Sequence, residues 1–329
     1  MGKYKNSKFY IIIAAALGGL LIVVLAFAAK SWQSRGGKLD VIYIPKVQDN
    51  SDFWGSLALG AQAAAKEYDI NLKIAGPSSE GDVEKQNEII RQSIEERPDA
   101  IILSPCSYTE STEAAKQIVK AGIHLILVDS SMEEPLGETL VCTNNTEAGK
   151  KLGELLRKYL PEDPVIGIVS HVRESSTAME REKGLREGLE GYEDRILPAV
   201  FCDSDYDKAY KVTQQLLEEH PEINAIAGLN EYSAVGAARA VKDMGLEDEI
   251  VMVGFDSSLE EIQLLEAGIF KGIVVQKPFN MGYLAVQKSV EVIYNTAVDP
   301  TVDSGSEEIT KGNMYTEENQ KLLFPFLAK

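Results

Sequence analysis

The chain alternates between short apolar runs and longer segments in which apolar residues recur every three or four positions. The short runs hold consecutive apolar residues, which is typical of strands buried on both faces of a parallel sheet. The longer segments, such as the one with Ile89, Ile90 and Ile94, are typical of helices with one buried face. From Leu39 onward this order predicts repeated βα units and therefore an α/β fold.

The pattern gives approximate bounds for these elements. The predicted strands are Val41–Ile44, Leu72–Ala75, Ala100–Leu103, Leu125–Val128, Val165–Val169, Ala199–Cys202, Ala225–Leu229, Ile250–Phe255 and Gly272–Val275. The predicted helices include Trp54–Tyr68, Val83–Glu95, Glu113–Ala121, Glu147–Tyr159, Ala209–Glu219, Ser233–Met244 and Met281–Tyr294. Gly122 and Gly245 follow helices, where a left-handed C-cap favours glycine. Asn144 and Asn145 are predicted to open a helix, and Asp299 to Gly312 to form a polar connection.

The first thirty residues differ from the rest. Three lysines precede an uninterrupted apolar run from Phe9 to Ala29. This run can cross a bilayer, and the lysines predict that the N-terminus stays inside the cell while the main body lies outside. We therefore expect a cytoplasmic segment at 1–8, an anchor at 9–29 and a linker at 30–38. The alternative is a secretory signal cleaved after Ala26-Phe27-Ala28, but signal cores are usually shorter. Both interpretations export the body.

Length and charge narrow the class of protein. The 329 residues suit two lobes, and 33 basic against 51 acidic residues give a formal net charge of -18. This excess repels phosphate backbones, so we expect no nucleic-acid partner. Cys106, Cys142 and Cys202 lie far apart, which indicates buried free thiols rather than a disulfide framework. No histidine stands at metal-ligand spacing, so we expect neither a metal site nor a cofactor.

Polar and aromatic residues collect where the predicted strands end. In an open parallel sheet, ligands bind beyond the carboxyl ends of the strands. The residues found there are Phe53, Trp54, Asp129, Ser130, Tyr206, Asn230, Glu231, Asp256 and Gln276. Carboxylates and amides can hydrogen-bond adjacent hydroxyls, and aromatic rings pack on the C–H faces of a sugar ring. The pattern therefore indicates a site for a small polyhydroxylated ligand.

The motifs of common enzymes are missing from the sequence. There is no nucleophile elbow, no dinucleotide fingerprint, no phosphate loop and no evident pair of base and nucleophile. We therefore expect binding without catalysis. An extracellular α/β enzyme that acts on a small polar substrate is the rival hypothesis, and turnover assays would test it.

The chain resembles the periplasmic sugar-binding proteins of the ribose-binding type, over essentially all of Leu39 to Lys329. The resemblance rests on seven segments in the right order: DFWGSLALGAQAAA, PDAIILSP, LVDSSM, VCTNNTEAGKKLG, EREKGLREGL, INAIAGLNEYSAVGAARAV and IVMVGFDSSLE. It implies two similar lobes, each a parallel doubly wound sheet flanked by helices, with the ligand cleft between them. It places three hinge crossovers near Thr143-Asn144, Gln276-Lys277 and Gly305. Lobe 1 would hold residues 39–143 and 277–304, and lobe 2 residues 144–276 and 305–329.

The family's ligand contacts carry over residue by residue. They fall at Phe53, Trp54, Asp129, Tyr206, Asn230, Asp256 and Gln276. Where the ribose-type pattern has an asparagine and two arginines, this chain has Ser51, Ser130 and Met179, which puts ribose itself in doubt. Asp129, Asn230 and Asp256 could instead cap helices or turns, and Phe53 and Trp54 could be core residues.

Two further residues have expected roles. Arg181 matches the family's Arg-x-x-Gly element, where we expect a lobe-stabilising ion pair rather than a ligand contact. His171 follows a predicted strand, where it could face the cleft, but we expect a hydrogen-bonded polar residue. The resemblance implies a monomer whose closed form meets a membrane partner. That partner is the permease of an ABC importer, or a sensor kinase or chemoreceptor, and a permanent anchor favours sensing.

Overall fold

The computed structural model describes residues 37–49 and 51–324. The strands are β1 (Asp40–Ile44), β2 (Asn71–Ile74), β3 (Ala100–Leu103), β4 (His124–Val128), β5 (Thr139–Cys142), β6 (Ile166–Ser170), β7 (Val200–Phe201), β8 (Ala225–Gly228), β9 (Val251–Phe255), β10 (Phe270–Gln276), β11 (Thr301–Asp303) and β12 (Ser306–Ile309). The helices are α1 (Asp52–Glu67), α2 (Val83–Glu95), α3 (Thr112–Lys120), α4 (Asn145–Arg157), α5 (Ser176–Gly188), α6 (Tyr206–Glu219), α7 (Glu231–Asp243), α8 (Leu259–Ala267), α9 (Pro278–Ile293) and α10 (Glu317–Leu323), with a 3₁₀ turn at Glu193–Arg195.

These strands form two six-stranded sheets. The first has the order β11-β5-β4-β3-β1-β2 and its strands are all parallel. The second has the order β12-β10-β9-β8-β6-β7, and only the edge strand β12 runs antiparallel to its neighbour. Central strands such as β3 and β8 are buried at every residue because helices cover both faces. This confirms the predicted class of two parallel sheets flanked by helices.

The chain passes between the sheets three times. It leaves the first sheet after Cys142 and enters the second lobe at Asn145. It returns after Gln276, because α9 packs on α1 of the first lobe, and it crosses again between Asp303 and Ser306. Three short connections therefore join the two lobes.

Several helix ends follow from local sequence. Gly122 and Gly245 have φ of +74° and +70°, which confirms the predicted left-handed caps. The Asn144 side chain accepts a hydrogen bond from the backbone N–H of Glu147 and so opens α4 as predicted.

The pattern missed three short strands. The segment predicted as a connection, Asp299 to Gly312, contains the edge strands β11 and β12, and β5 was not predicted at all. Backbone pairing holds β11 and β12 on their sheets, and their residues are mostly half-buried or exposed. They carry no apolar run because an edge strand has less surface to bury.

Helix α5 also has no apolar stripe, for a different reason. Its Gly184 lies against the backbone of α4, where an added Cβ would fall 2.0 Å from the carbonyl oxygen of Thr146. A Cβ added at Gly149 of α4 would likewise fall 2.3 Å from the carbonyl oxygen of Arg181 in α5. The two helices thus pack through glycines, a contact that hydrophobic periodicity does not report.

The predicted membrane segment Phe9–Ala29 lies outside the described residues. Within the part of the chain that the structure describes, no helix is long and apolar enough to span a bilayer. Residues from Asp40 onward belong to one structural unit, which holds both sheets.

Candidate functional site

One pocket lies between the two lobes at the carboxyl ends of the strands. Six of the seven predicted site residues line it: Phe53, Trp54, Asp129, Asn230, Asp256 and Gln276. The seventh, Tyr206, does not line the pocket, but its hydroxyl donates to the carboxylate of Glu231, which does. Chain topology explains this convergence, because Asp129 and Asp256 follow β4 and β9 directly and Gln276 ends β10.

The sequence prediction left out other lining residues. They are Lys46, Glu80, Thr177 and Tyr232, together with Glu231, which it placed at a strand end without naming it a ligand contact, and His171 and Arg181, for which it favoured other roles. Lys46 comes two residues after β1, so the rule that found Asp129 could have found it. Glu80 lies in the loop after β2 and Thr177 opens α5, and neither has a local signal in the sequence.

Lys46 and Asp129 form a buried ion pair on the first lobe. Their side chains approach to 2.8 Å and are 3% and 4% exposed. The Lys46 ammonium also lies 3.4 Å from the Thr177 hydroxyl of the second lobe and 6.0 Å from the centre of the Trp54 ring. Asp129 has a φ of +68° and caps none of the described helices, and its carboxylate contacts Lys46 and the Ser130 hydroxyl.

Glu80 is a second buried acid of the first lobe. Its carboxylate accepts hydrogen bonds from the indole N–H of Trp54 and from the Ser204 hydroxyl, each at 2.6 Å. Burial raises the pKa of Glu80, and the nearby Lys46 ammonium opposes this rise. The hydrogen bond therefore holds Trp54 against the pocket, while Ser204 ties Glu80 to the second lobe.

Asp256 organises the second lobe's side of the pocket. Its φ is +89°, and its carboxylate accepts hydrogen bonds from Gln276 Nε2 at 2.7 Å and from the backbone N–H of Glu231 at 3.0 Å. Burial raises the pKa of Asp256, against the lowering effect of the Arg181 guanidinium. A non-glycine residue at positive φ is uncommon, and here it directs a carboxylate into the cleft.

Arg181 does not form the expected ion pair. Its Nε donates to Asn145 Oδ1 at 2.8 Å and one terminal nitrogen donates to the carbonyl oxygen of Leu229 at 2.9 Å. The guanidinium lies 3.9 Å from the centre of the Phe255 ring. Within the described ranges no carboxylate lies at ion-pair distance from it, so the prediction was wrong about the partner. Neutral acceptors and an aromatic face stabilise the buried charge instead.

Asn230 does cap a helix, as the alternative interpretation proposed. Its side chain accepts from the backbone N–H of Ser233, whose hydroxyl accepts in return from the Asn230 N–H. The amide of Asn230 still lies at the pocket and donates to the Ser204 hydroxyl at 3.2 Å. The cap therefore fixes the orientation of an amide that remains part of the cleft.

Two polar atoms at the pocket lack partners. His171 contacts the Thr177 hydroxyl through Nε2 at 2.8 Å, but its Nδ1 has no hydrogen-bond partner among residues 37–49 and 51–324, so the residue is only half satisfied. Gln276 Oε1 is unpaired in the same part of the chain. Burial, with help from Arg181 and Lys46, lowers the pKa of His171 well below its ordinary value, so the imidazole is neutral.

Direct hydrogen bonds join the two lobes around the pocket. The Glu231 carboxylate accepts from the backbone N–H groups of Asp52 and Phe53 at 3.3 and 3.2 Å, and the Tyr232 hydroxyl donates to Asp49. Further interlobe bonds run from Leu259 N–H to Asp52 Oδ2 at 3.0 Å, from Ser131 N–H to Ser176 Oγ at 2.9 Å and from Tyr108 N–H to Glu174 O at 2.7 Å. The structure is therefore a closed arrangement of the lobes.

The closed pocket is narrow. Its cavity volume, counted as space for the centre of a water molecule, is about 20 Å³. A ring-sized molecule can enter only if the lobes part or the lining side chains rotate.

The described residues contain no cluster of three or more His, Cys, Asp or Glu side chains that could hold a metal ion. Cys106, Cys142 and Cys202 are buried and unpaired, and burial raises the pKa of each thiol.

Comparison with known proteins supports the same architecture. A family model described as a periplasmic binding protein domain matches residues 41–296. The ribose import binding protein of Bacillus subtilis is 24% identical over 255 residues, which cover 78% of this chain and 82% of that protein. A sugar transporter from Clostridium phytofermentans has 45% sequence identity and a TM-score of 0.80, covering 83% of this chain and all of that structure.

A carbohydrate transporter solute-binding protein from Agrobacterium radiobacter, solved with D-arabinose, has the same fold. Its TM-score is 0.83 at 22% identity, and the match covers 88% of this chain and 99% of that one. The two lobes, the three crossovers, the interlobe pocket and the family match agree with one another. This chain belongs to the periplasmic binding protein family.

Proposed function

We propose that the protein binds a sugar, or a similar small polyhydroxylated molecule, between its two lobes and releases it chemically unchanged to an ABC importer. The observation that carries this proposal is the convergence of carboxylates, amides and aromatic rings from both lobes on one buried pocket. The curated and structural relatives, whose names describe ribose import and sugar transport, support the same ligand class.

Each predicted site residue has a proposed role. Asp129 and Asp256 accept hydrogen bonds from ligand hydroxyls, and Asn230 and Gln276 supply amides that donate and accept. Phe53 and Trp54 pack on the apolar faces of the ring. Tyr206 acts indirectly, because its hydroxyl holds the Glu231 carboxylate at the rim of the pocket.

Binding is proposed to work through lobe closure. We assign residues 39–143 and 277–304 to one lobe, and 144–276 and 305–329 to the other. A ligand that contacts both lobes binds the closed form more tightly than the open form, so it shifts the hinge equilibrium toward closure. Direct interlobe bonds such as those of Glu231 mean that the ligand supplies only part of the closing free energy.

The partner is proposed to be the permease of an ABC importer. The alternative partner is a sensor kinase or a chemoreceptor that binds the same surface of the closed form. We further propose that the protein is a monomer held at the membrane by residues 9–29.

We propose no catalytic role for the pocket. A catalytic nucleophile must contact its base, and the Thr177 hydroxyl does contact the His171 imidazole among the described residues. That contact alone is not enough. The other ring nitrogen of His171 has no partner among the described residues, so no acid orients the imidazole.

The proposal is tested by a thermal-shift screen of the full chain in mild detergent against pentoses, hexoses, polyols and nucleosides. A ligand that binds only the folded protein raises the melting temperature by mass action. Titration calorimetry then compares Asp256→Asn with Asp203→Asn. Both aspartates follow strands and have positive φ, but Asp203 is exposed and does not line the pocket.

Asp256→Asn is expected to weaken binding at least tenfold, and Asp203→Asn to leave it unchanged. The proposal fails if no sugar or polyol stabilises the protein, or if the two variants bind alike.

A further inference from the structure

The charges that face the cleft do not balance. Four carboxylates line it, Glu80, Asp129, Glu231 and Asp256, against two cations, Lys46 and Arg181. All six residues are at most 6% exposed. When all four acids are ionised and His171 is neutral, the pocket has a surplus of two carboxylates over cations. Buried charges are costly unless they are paired, so this surplus favours a ligand that compensates it.

The two cations are already committed to other groups. Lys46 pairs with Asp129, while Arg181 donates to neutral oxygens and packs on Phe255. Glu80, Glu231 and Asp256 are therefore held by hydrogen bonds from uncharged donors alone. Burial raises the pKa of each of these three acids, and the charges of Lys46 and Arg181 offset this rise only in part for Glu80 and Asp256.

The remaining polar atoms and the rings at the pocket also favour a cation. Gln276 Oε1 has no donor among the described residues and is buried, with 2% of the residue exposed. It can accept from an ammonium group, which supplies three donors. The rings of Phe53, Trp54 and Tyr232 line the same pocket, and aromatic faces attract cations.

We propose that the ligand carries a protonated amine as well as hydroxyls, as an amino sugar or an aminocyclitol does. The proposal rests on the proposed function, because it places the ligand in the same pocket. The ammonium lies near Glu80 and Glu231 and takes up the surplus charge that a neutral sugar would leave in place.

The test uses pairs of sugars that differ by one group. Titration calorimetry on the full chain in mild detergent, at about pH 7, compares D-glucosamine with D-glucose and D-galactosamine with D-galactose. Sugar amines with a pKa near that of an α-amino group are mostly protonated at this pH. We expect at least one amine to bind tenfold or more tightly than its hydroxyl partner, which equals about 1.4 kcal/mol.

A variant locates the effect in the pocket. Glu80→Gln keeps the shape of the side chain and an acceptor for Trp54 but removes one negative charge. It is expected to reduce the amine preference, which is the ratio of the affinities for the amine and its neutral partner, several-fold, and this ratio is the readout whatever the variant does to the affinity for both sugars. Glu96→Gln, on an exposed acid, is the matched control and should leave the preference intact.

The outcomes separate this inference from the proposed function. If the neutral sugars bind as tightly as the amines or more tightly, the inference is wrong and the proposed function stands. If Glu80→Gln folds, by its melting curve, and keeps the full preference, the amine does not sit at the acid cluster and the inference is wrong. If no sugar binds, either in these pairs or in the wider thermal-shift screen, both the inference and the proposed function fail.

Discussion

The ion pair between Lys46 and Asp129 gives the sharpest test of how the pocket is built. Asp129→Asn removes the charge and keeps a residue that tolerates the positive φ at this position. It leaves the Lys46 ammonium buried, with the Thr177 hydroxyl at 3.4 Å and no carboxylate paired to it. Removing one partner of a buried pair costs roughly 3–5 kcal/mol, and the field of nearby Glu80 favours the lower end, about 3 kcal/mol.

A double-mutant cycle isolates the pair. Lys46→Met alone should destabilise by a similar amount, because it leaves Asp129 charged and buried. The double variant Lys46→Met/Asp129→Asn has no buried charge at this point and should return to within about 1 kcal/mol of the wild type. With a loss of about 3 kcal/mol for each single variant, the coupling between the two positions is then at least about 5 kcal/mol.

The assay is thermal and urea unfolding of the full chain in mild detergent, without ligand, followed by circular dichroism. For a body of this size 1 kcal/mol corresponds to roughly 2 °C, so each single variant should melt roughly 6 °C lower. Lys73→Met is the control, because the pair of Lys73 with Glu96 is about half exposed and should contribute less than about 1 kcal/mol. If both single variants melt like Lys73→Met, or if the coupling is near zero, the reasoning is refuted.

Three further predictions concern protonation, packing and the membrane. Burial raises the pKa of Glu231 from 4.5 to about 7, so the folded chain holds a proton that the unfolded chain releases in this range. Protonation of Glu231 therefore contributes to the free energy of unfolding at low pH, and this contribution is lost as the pH rises from 4.5 through 7. The melting temperature of Glu231→Gln should depend less on pH than that of the wild type over this range. Gly60→Ala should destabilise by roughly 1–3 kcal/mol, since its Cβ would fall 1.9 Å from the Phe279 carbonyl oxygen, whereas Gly55→Ala meets open space and should be neutral or stabilising in urea unfolding. Full-length protein should fractionate with membranes and keep its N-terminus; a soluble mature chain that begins at Ala29 would instead indicate a cleaved signal.

The sequence was informative where a residue's environment is set by its neighbours along the chain. Consecutive apolar residues identified the central strands, and helix periodicity identified α2 with its observed bounds. The rule that ligands meet the carboxyl ends of parallel strands selected Asp129, Asp256 and Gln276 before any contact was known. The structure places these three in one pocket, and their role in binding remains a prediction.

Prediction failed where contacts are distant in sequence or involve backbone alone. The edge strands β11 and β12 carry no apolar run, and α5 packs through glycines. Glu80 reaches the pocket from a loop and takes its hydrogen bonds from Trp54 and from Ser204 of the other lobe.

Sequence by itself therefore determined the class of fold, the alternating elements and the acidic, aromatic character of the candidate site. The reason is that the spacing of apolar residues along the chain follows the buried face of each strand and helix. Only the tertiary structure decided which charges meet. It paired Lys46 with Asp129 and left Arg181 with no carboxylate at ion-pair distance among the residues that the structure describes. It also joined Glu231 to the first turn of α1 across the cleft. These contacts depend on how two sheets approach each other, and the free energy of a buried charge depends on every group around it rather than on its neighbours in the chain.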